Sequence, residues 1–155
     1  KSAQFDMGLI SLASIPYTHH LGFKVPKILA DLRDQMDFTN GLKAEGIFRL
    51  SGSETEIIAL YEEYTAKATV SHFDAHNAAN LMKRWFKSWE GSRLLGDIPV
   101  EEFQKSPHID VSSFLTEPRL SIWKWLLQLL LDVYAFREFN KMSAKNLAIV
   151  WAPAL

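Results

Sequence analysis

The side chain best suited to act on a charged partner stands in a short segment bracketed by glycines. In GLKAEGIFRLSG, residues 41–52, Gly46 and Gly52 flank a brief apolar stretch interrupted by Arg49, a pattern that reads as a loop. Ile47, Phe48 and Leu50 can anchor such a loop in a core while the arginine points outward. A guanidinium is planar and permanently charged, with its donors in a fork, so it suits negative charge spread over several oxygens. The same group can instead pair with Glu45 or Glu54 at the surface. Lys83 and Lys87 lie one helical turn apart and so share a face; with Arg84 they form either a basic contact site or a solvated basic side.

Other chemistries find no support. His72 and His76 have helical spacing, but no HExxH pattern or third ligand completes a metal site. No nucleophilic triad order and no phosphate-binding glycine loop with a lysine-serine ending is present, so the chain itself is not expected to bind a nucleoside triphosphate.

Composition narrows the class further. The 155 residues, 48% of them hydrophobic, suffice for one compact domain with a single core. Seventeen basic against eighteen acidic residues give no field able to hold nucleic acid or an anionic membrane, so any positive site must be local. The absence of cysteine removes disulfides and thiolate chemistry and fits a reducing compartment. The most apolar run, Ile122 to Phe136, is too short to span a bilayer and contains Lys124, Gln128 and Asp132. A first residue that is lysine and a last stretch that reads as the middle of an element point to an excised fragment, truncated at the C-terminal end of its domain.

The elements that would position these residues are helical. The segment to about Phe23 reads as an extended lead-in. A first helix opens at Pro26, carries Ile28, Leu29, Leu32 and Met36, and stops at Asn40-Gly41. Ser53 and Glu56 fit a capping box, in which serine and glutamate satisfy each other's free amides, at the start of a second helix. Asp74 caps a third through about Trp89, with Ala78, Leu81, Met82, Trp85 and Trp89 apolar. A short helix spans about Val100 to Lys105, followed by a loop. A long one, about 117–136, shows Glu117, Ser121, Lys124, Gln128 and Asp132 as its polar stripe and is expected to be buried at the bundle centre on every other side. A last helix begins near Ser143 and ends before Pro153. Strand patterns are too few for a sheet, so an all-α, single-domain bundle is predicted.

Four stretches taken in order, VPKIL (25–29), GLKAEGIFRLSGS (41–53), DAHNAANLMKRWFK (74–87) and NKMSAKNLAIVWAPAL (140–155), resemble the Rho GTPase-activating protein (RhoGAP) domain family. The resemblance covers most of the chain after Phe23 and implies the RhoGAP helical fold for residues 1–155. It implies that Arg49 is an arginine finger that enters the nucleotide site of a GTP-bound Rho/Rac-family small GTPase and stabilises charge on the transferring phosphoryl group. By the same resemblance Lys83, Lys87, Asn146 and Pro153 are partner-binding residues. Magnesium and GTP belong to the partner, the chain brings no cofactor or metal of its own, and it acts in trans rather than as an independent hydrolase.

Nucleic acid and direct membrane insertion are not expected; a cytoplasmic location is, with recruitment to membranes through the GTPase or flanking domains. Two departures stand out. Lys87 occupies a position where the family has arginine, losing the bidentate fork, and Ser88-Trp89-Glu90-Gly91 replaces the family's usual glutamate, leucine and prolines. They keep open a non-catalytic GTPase-binding module of the same fold. A helical scaffold that never meets a GTPase is the remaining alternative.

Overall fold

The computed structural model describes residues 7–69 and 74–155. In chain order these form strands β1 (Tyr17–His20) and β2 (Phe23–Pro26), then helices α1 (Lys27–Phe38), α2 (Glu54–Lys67), α3 (Ala75–Lys87), α4 (Val100–Lys105), α5 (Arg119–Ala135), α6 (Arg137–Asn140) and α7 (Ala144–Trp151). Short 3₁₀ turns occupy Gly41–Lys43, Val111–Phe114 and Ala152–Ala154. The predicted helical bundle is present, and none of its described helices is long and apolar enough to cross a membrane.

The hairpin is an addition to the predicted fold. Its strands pair antiparallel from Tyr17 with Pro26 to His20 with Phe23. Four residues per strand are too few for an alternating pattern to stand out. The turn at Leu21 and Gly22, with φ of 53° and 86°, has both central residues in the left-handed region without the Asn-Gly signature that normally announces it. Pro26 is the N-cap of α1 rather than its first residue. From the hairpin, His20 links two helices: Trp125 Nε1 on α5 donates to His20 Nδ1 at 3.0 Å, and His20 Nε2 lies 2.7 Å from Asp34 Oδ1 on α1. An indole N–H can only donate, so Nδ1 is the acceptor and Nε2 carries the proton toward Asp34.

Helix α1 buries Ile28, Leu29, Leu32 and Met36 as its spacing predicts. Its stop signal has two parts. Asn40 takes the left-handed conformation that ends a helix, while a Cβ on Gly41 would stand 2.7 Å from the Ala75 Cβ, so glycine lets the chain pass against α3. Arg33, 6% exposed, bonds Asp132 of α5 at 2.9 Å through Nη2 and Asp37 at 3.1 Å through Nε.

The expectation for α5 needs correction. Ile122, Trp125, Leu126, Leu129 and Val133 are buried, where the helix packs on β2 and the 41–43 turn. Leu127 and Leu131, however, are 39% and 61% exposed, so the helix is open on more than its polar stripe. An apolar side chain gains from being covered, but nothing in its identity guarantees that a neighbour covers it.

Helix α3 is capped by Asp74, whose Oδ1 accepts from His76 N at 2.7 Å, and it ends at Lys87 rather than Trp89. Trp89 is still buried, stacked on Phe86 with ring centroids 5.8 Å apart. The departure at residues 88–91 has a structural use. Ile10 N donates to Ser88 O, and Glu90 N donates to Ile10 O, both at 2.8 Å. A proline at position 90 would lack the second of these donors.

Candidate functional site

The loop carrying Arg49 is one tight turn. Arg49 N and Leu50 N both donate to Gly46 O at 2.8 Å, and Ile47 N donates to Ala44 O at 3.1 Å. Gly46 has φ of +70°, and a Cβ there would lie 2.7 Å from Leu50 Cγ and 3.1 Å from Arg49 Nη2, so only glycine fits under the turn. The anchoring expected for this segment holds on one side only: Ile47 and Phe48 are buried and Arg49 is exposed, but Leu50, expected in the core, is exposed as well, because the turn folds it over Gly46 instead.

Phe48 is the unusual residue. Its φ of 70° places a bulky side chain in the left-handed region, which costs about 1–3 kcal/mol and persists only where the surroundings enforce it. Those surroundings are visible. Phe48 is 1% exposed and meets Trp151 of α7 at 5.1 Å between ring centroids, and Trp151 in turn meets Phe86 of α3 edge-on at 5.4 Å. On its backbone side, the Phe48 carbonyl accepts from Lys83 Nζ at 2.5 Å. The conformation that buries Phe48 leaves the next residue, Arg49, outside.

Polar side chains hold the loop at its entrance and exit as well. Asn140 of α6 is fully buried. Its Nδ2 donates to Leu42 O and Val133 O, and its Oδ1 accepts from Met142 N. Its backbone carbonyl accepts from Gly46 N at 2.8 Å. At the exit, Ser53 N donates to Asn77 Oδ1 at 2.8 Å. The reading of residues 53–56 as a self-contained capping box is therefore half right: Ser53 Oγ accepts from Glu56 N at 3.3 Å, but Glu56 Oε1 accepts from Asn77 Nδ2 rather than from Ser53 N.

Electrostatics favour a fixed loop with an uncommitted arginine. Glu54, one candidate partner for Arg49, is taken by Arg84 in a two-pronged ion pair. The Arg84 hydrogen bond holds the Glu54 carboxyl below its ordinary range. Among the described residues, the Arg49 side chain has no ion pair. Half-buried Lys83 is pushed below the ordinary lysine value by desolvation first and by the charge of Lys87 second. Lys87 itself is exposed on the same face.

The other sequence candidates lie on the last helix and beyond it. Asn146 is half-buried, and its backbone N–H bonds the Ser143 cap at 3.1 Å. Pro153 is exposed, and its carbonyl accepts from Arg93 Nη1 at 2.5 Å. Of the predicted contact residues, Lys83 bonds the Arg49 loop directly, and the buried Trp151, which lies between Asn146 and Pro153 in the sequence, packs on Phe48. Of the histidine pair, His76 is described and His72 lies outside the described residues. Sequence reasoning missed Asn77 and Asn140 as holders of the loop. For Asn77 a signal existed: an amide in helical register with Leu81, on the apolar side of α3, must be buried and bonded.

The RhoGAP domain profile matches residues 26–155. The chain is 41% identical over 138 residues to the Rho GTPase-activating protein gacA of Dictyostelium discoideum, covering 86% of this chain and 40% of that protein. It is 32% identical over 133 residues to Rho GTPase-activating protein 5 of Arabidopsis thaliana, covering 83% of this chain and 40% of that protein. The chain thus spans about two fifths of the length of these relatives. In fold it is similar to the crystal structure of the BH domain from GRAF, the GTPase regulator associated with focal adhesion kinase. That match has a TM-score of 0.70 at 17% identity and covers 83% of this chain and 79% of the other. With the domain profile matched across most of its length and such a relative at 41% identity, the chain belongs to the RhoGAP domain family.

Proposed function

We propose that this domain stimulates GTP hydrolysis by a Rho/Rac-family small GTPase, inserting Arg49 in trans into the partner's nucleotide site. The observation that carries the reading is the mount. An exposed arginine follows a buried, left-handed Phe48 whose carbonyl is tied to Lys83. A guanidinium held this way needs little reorganisation when charge develops on the γ-phosphoryl oxygens, the condition under which such a group lowers a barrier most. The partner supplies nucleotide, magnesium and the residue that orients the attacking water; this chain supplies the charge and excludes water. Lys83, Lys87, Asn146 and Pro153 form the proposed contact set around the finger. In this scheme the domain works in the cytoplasm, reaching membranes through its GTPase.

Single-turnover GTP hydrolysis by a panel of Rho, Rac and related GTPases, with wild-type or Arg49→Ala domain, tests the reading. Stimulation by wild type that disappears with the arginine is the expected result. The exposed Lys87, which lacks an arginine's fork, favours a second reading, a module that binds the GTPase without accelerating it. That reading requires binding of the GTP-bound partner with no stimulation by either form.

A further inference from the structure

We infer that Asn77 is a positioning residue for the arginine loop, locking its exit onto α3 as Lys83 locks its apex. The inference rests on Arg49 being the finger.

Ser53 and Glu56 have the sequence of a box that could close on itself, capping α2 with no help from α3. Instead the Asn77 carboxamide is inserted between them. Its oxygen accepts from Ser53 N at 2.8 Å, and its nitrogen donates to Glu56 Oε1 at 3.0 Å. The side chain is 2% exposed, so both bonds are made away from water, where an unpaired amide is unfavourable. Room for it comes from Gly52, at which a Cβ would stand 2.1 Å from Asn77 Oδ1. A self-closed box would cap the helix equally well but leave the end of the loop free to shift against α3. With Asn77 in place, one rigid helix grips the backbone at Phe48 and at Ser53, on either side of Arg49. Holding an entering charge within a fraction of an ångström is what such a grip contributes to a reaction rate.

The test measures single-turnover hydrolysis at saturating domain, beside affinity for the same GTPase loaded with a non-hydrolysable GTP analogue. Asn77→Ala lowers the saturated rate about ten- to a hundredfold, and affinity changes by less than about threefold. Asn77→Asp alone sets a carboxylate against that of Glu56 and loses rate as well. Adding Glu56→Gln returns a donor to the pair, and the double variant recovers most of the wild-type rate. An undiminished saturated rate in Asn77→Ala, a loss confined to affinity, or a double variant as slow as Asn77→Asp would each overturn the inference, the last even if the alanine variant fails to fold. Arg49→Ala, run in parallel, separates the two levels. If it stimulates fully, the finger reading falls and the positioning role with it; if it is inactive while Asn77→Ala is fully active, only the positioning role falls.

Discussion

The loop at residues 44–53 and the hairpin at residues 17–26 are both short non-helical segments laid on the same helical core, yet they are held by different means. The hairpin carries its own order: a ladder of backbone pairs and a buried Val25, with side-chain bonds from His20 to Trp125 and Asp34 and from Tyr17 to the Leu12 carbonyl tying it to its surroundings. The loop has a single turn of its own and takes the rest from outside, from Asn140 at its entrance, Lys83 and Trp151 at Phe48, and Asn77 at its exit. A segment whose backbone partners are its own strands can be judged by its own sequence. A segment whose partners are distant side chains can be disordered by changes that touch none of its residues.

The largest expected effect separates function from stability within the loop. Arg49→Ala should lower stimulated hydrolysis by ~10³–10⁵-fold while leaving the urea midpoint of the domain unchanged, because the exposed guanidinium adds nothing to the core. A fall in the midpoint would mean the arginine is part of the fold. Next, Asn140→Ala should destabilise the domain by about 3–5 kcal/mol in urea denaturation, since two buried carbonyls and one amide lose their partner together. A loss under 1 kcal/mol would show that water replaces the amide, and that the loop entrance is less dependent on its neighbour than the contrast requires.

A smaller effect comes from pH. Lys83 titrates below the ordinary lysine value of 10.5 because it is half-buried and faces Lys87. Below its folded-state pKa the amine is charged in both folded and unfolded chains, and the full desolvation penalty is present. Between the folded pKa and 10.5 the unfolded chain holds the extra proton, so this group's contribution makes stability rise with pH. Across the same window the bond to Phe48 O loses its charge, and stimulation should fall. Lys87→Met removes the repelling charge and should move the onset of both changes to higher pH, followed by NMR titration of the Lys83 ammonium. An onset that stays in place would leave desolvation as the sole cause. The smallest effect on stimulation belongs to the hairpin: Trp125→Phe, which deletes the donor to His20 and shrinks a fully buried ring, should cost about 1–3 kcal/mol of stability with stimulation unchanged. A marked loss of stimulation there would erase the difference between the two regions.

Much of the architecture was legible in advance because its signals are local. Asp74, Ser53 and Ser143 each accept from an amide of the first turn that follows them, and Asn40-Gly41 ends α1. The four motif stretches identified the family, and Ile47 and Phe48 correctly implied a buried anchor ahead of an exposed arginine, while Leu50, expected beside them in the core, is exposed. The hairpin was not legible because its strands are too short to show a period. The bare side of α5 was missed because periodicity reports which residues would gain from burial, not which neighbours arrive.

What the amino-acid order determined by itself is therefore the helices other than the short α6, the side-chain caps at Ser53, Asp74 and Ser143, and an arginine that follows an apolar anchor between glycines. These depend on residues within a turn or two of one another. Tertiary structure alone decided that the Ser53 amide goes to Asn77 rather than to Glu56, and that the Phe48 carbonyl goes to Lys83 rather than to solvent. The physical reason is that several partners of suitable chemistry exist for any polar group. Which one it takes is set by how α3 packs against the loop, an outcome of burying the aromatic cluster around Trp151 and Phe86 and not of any local propensity.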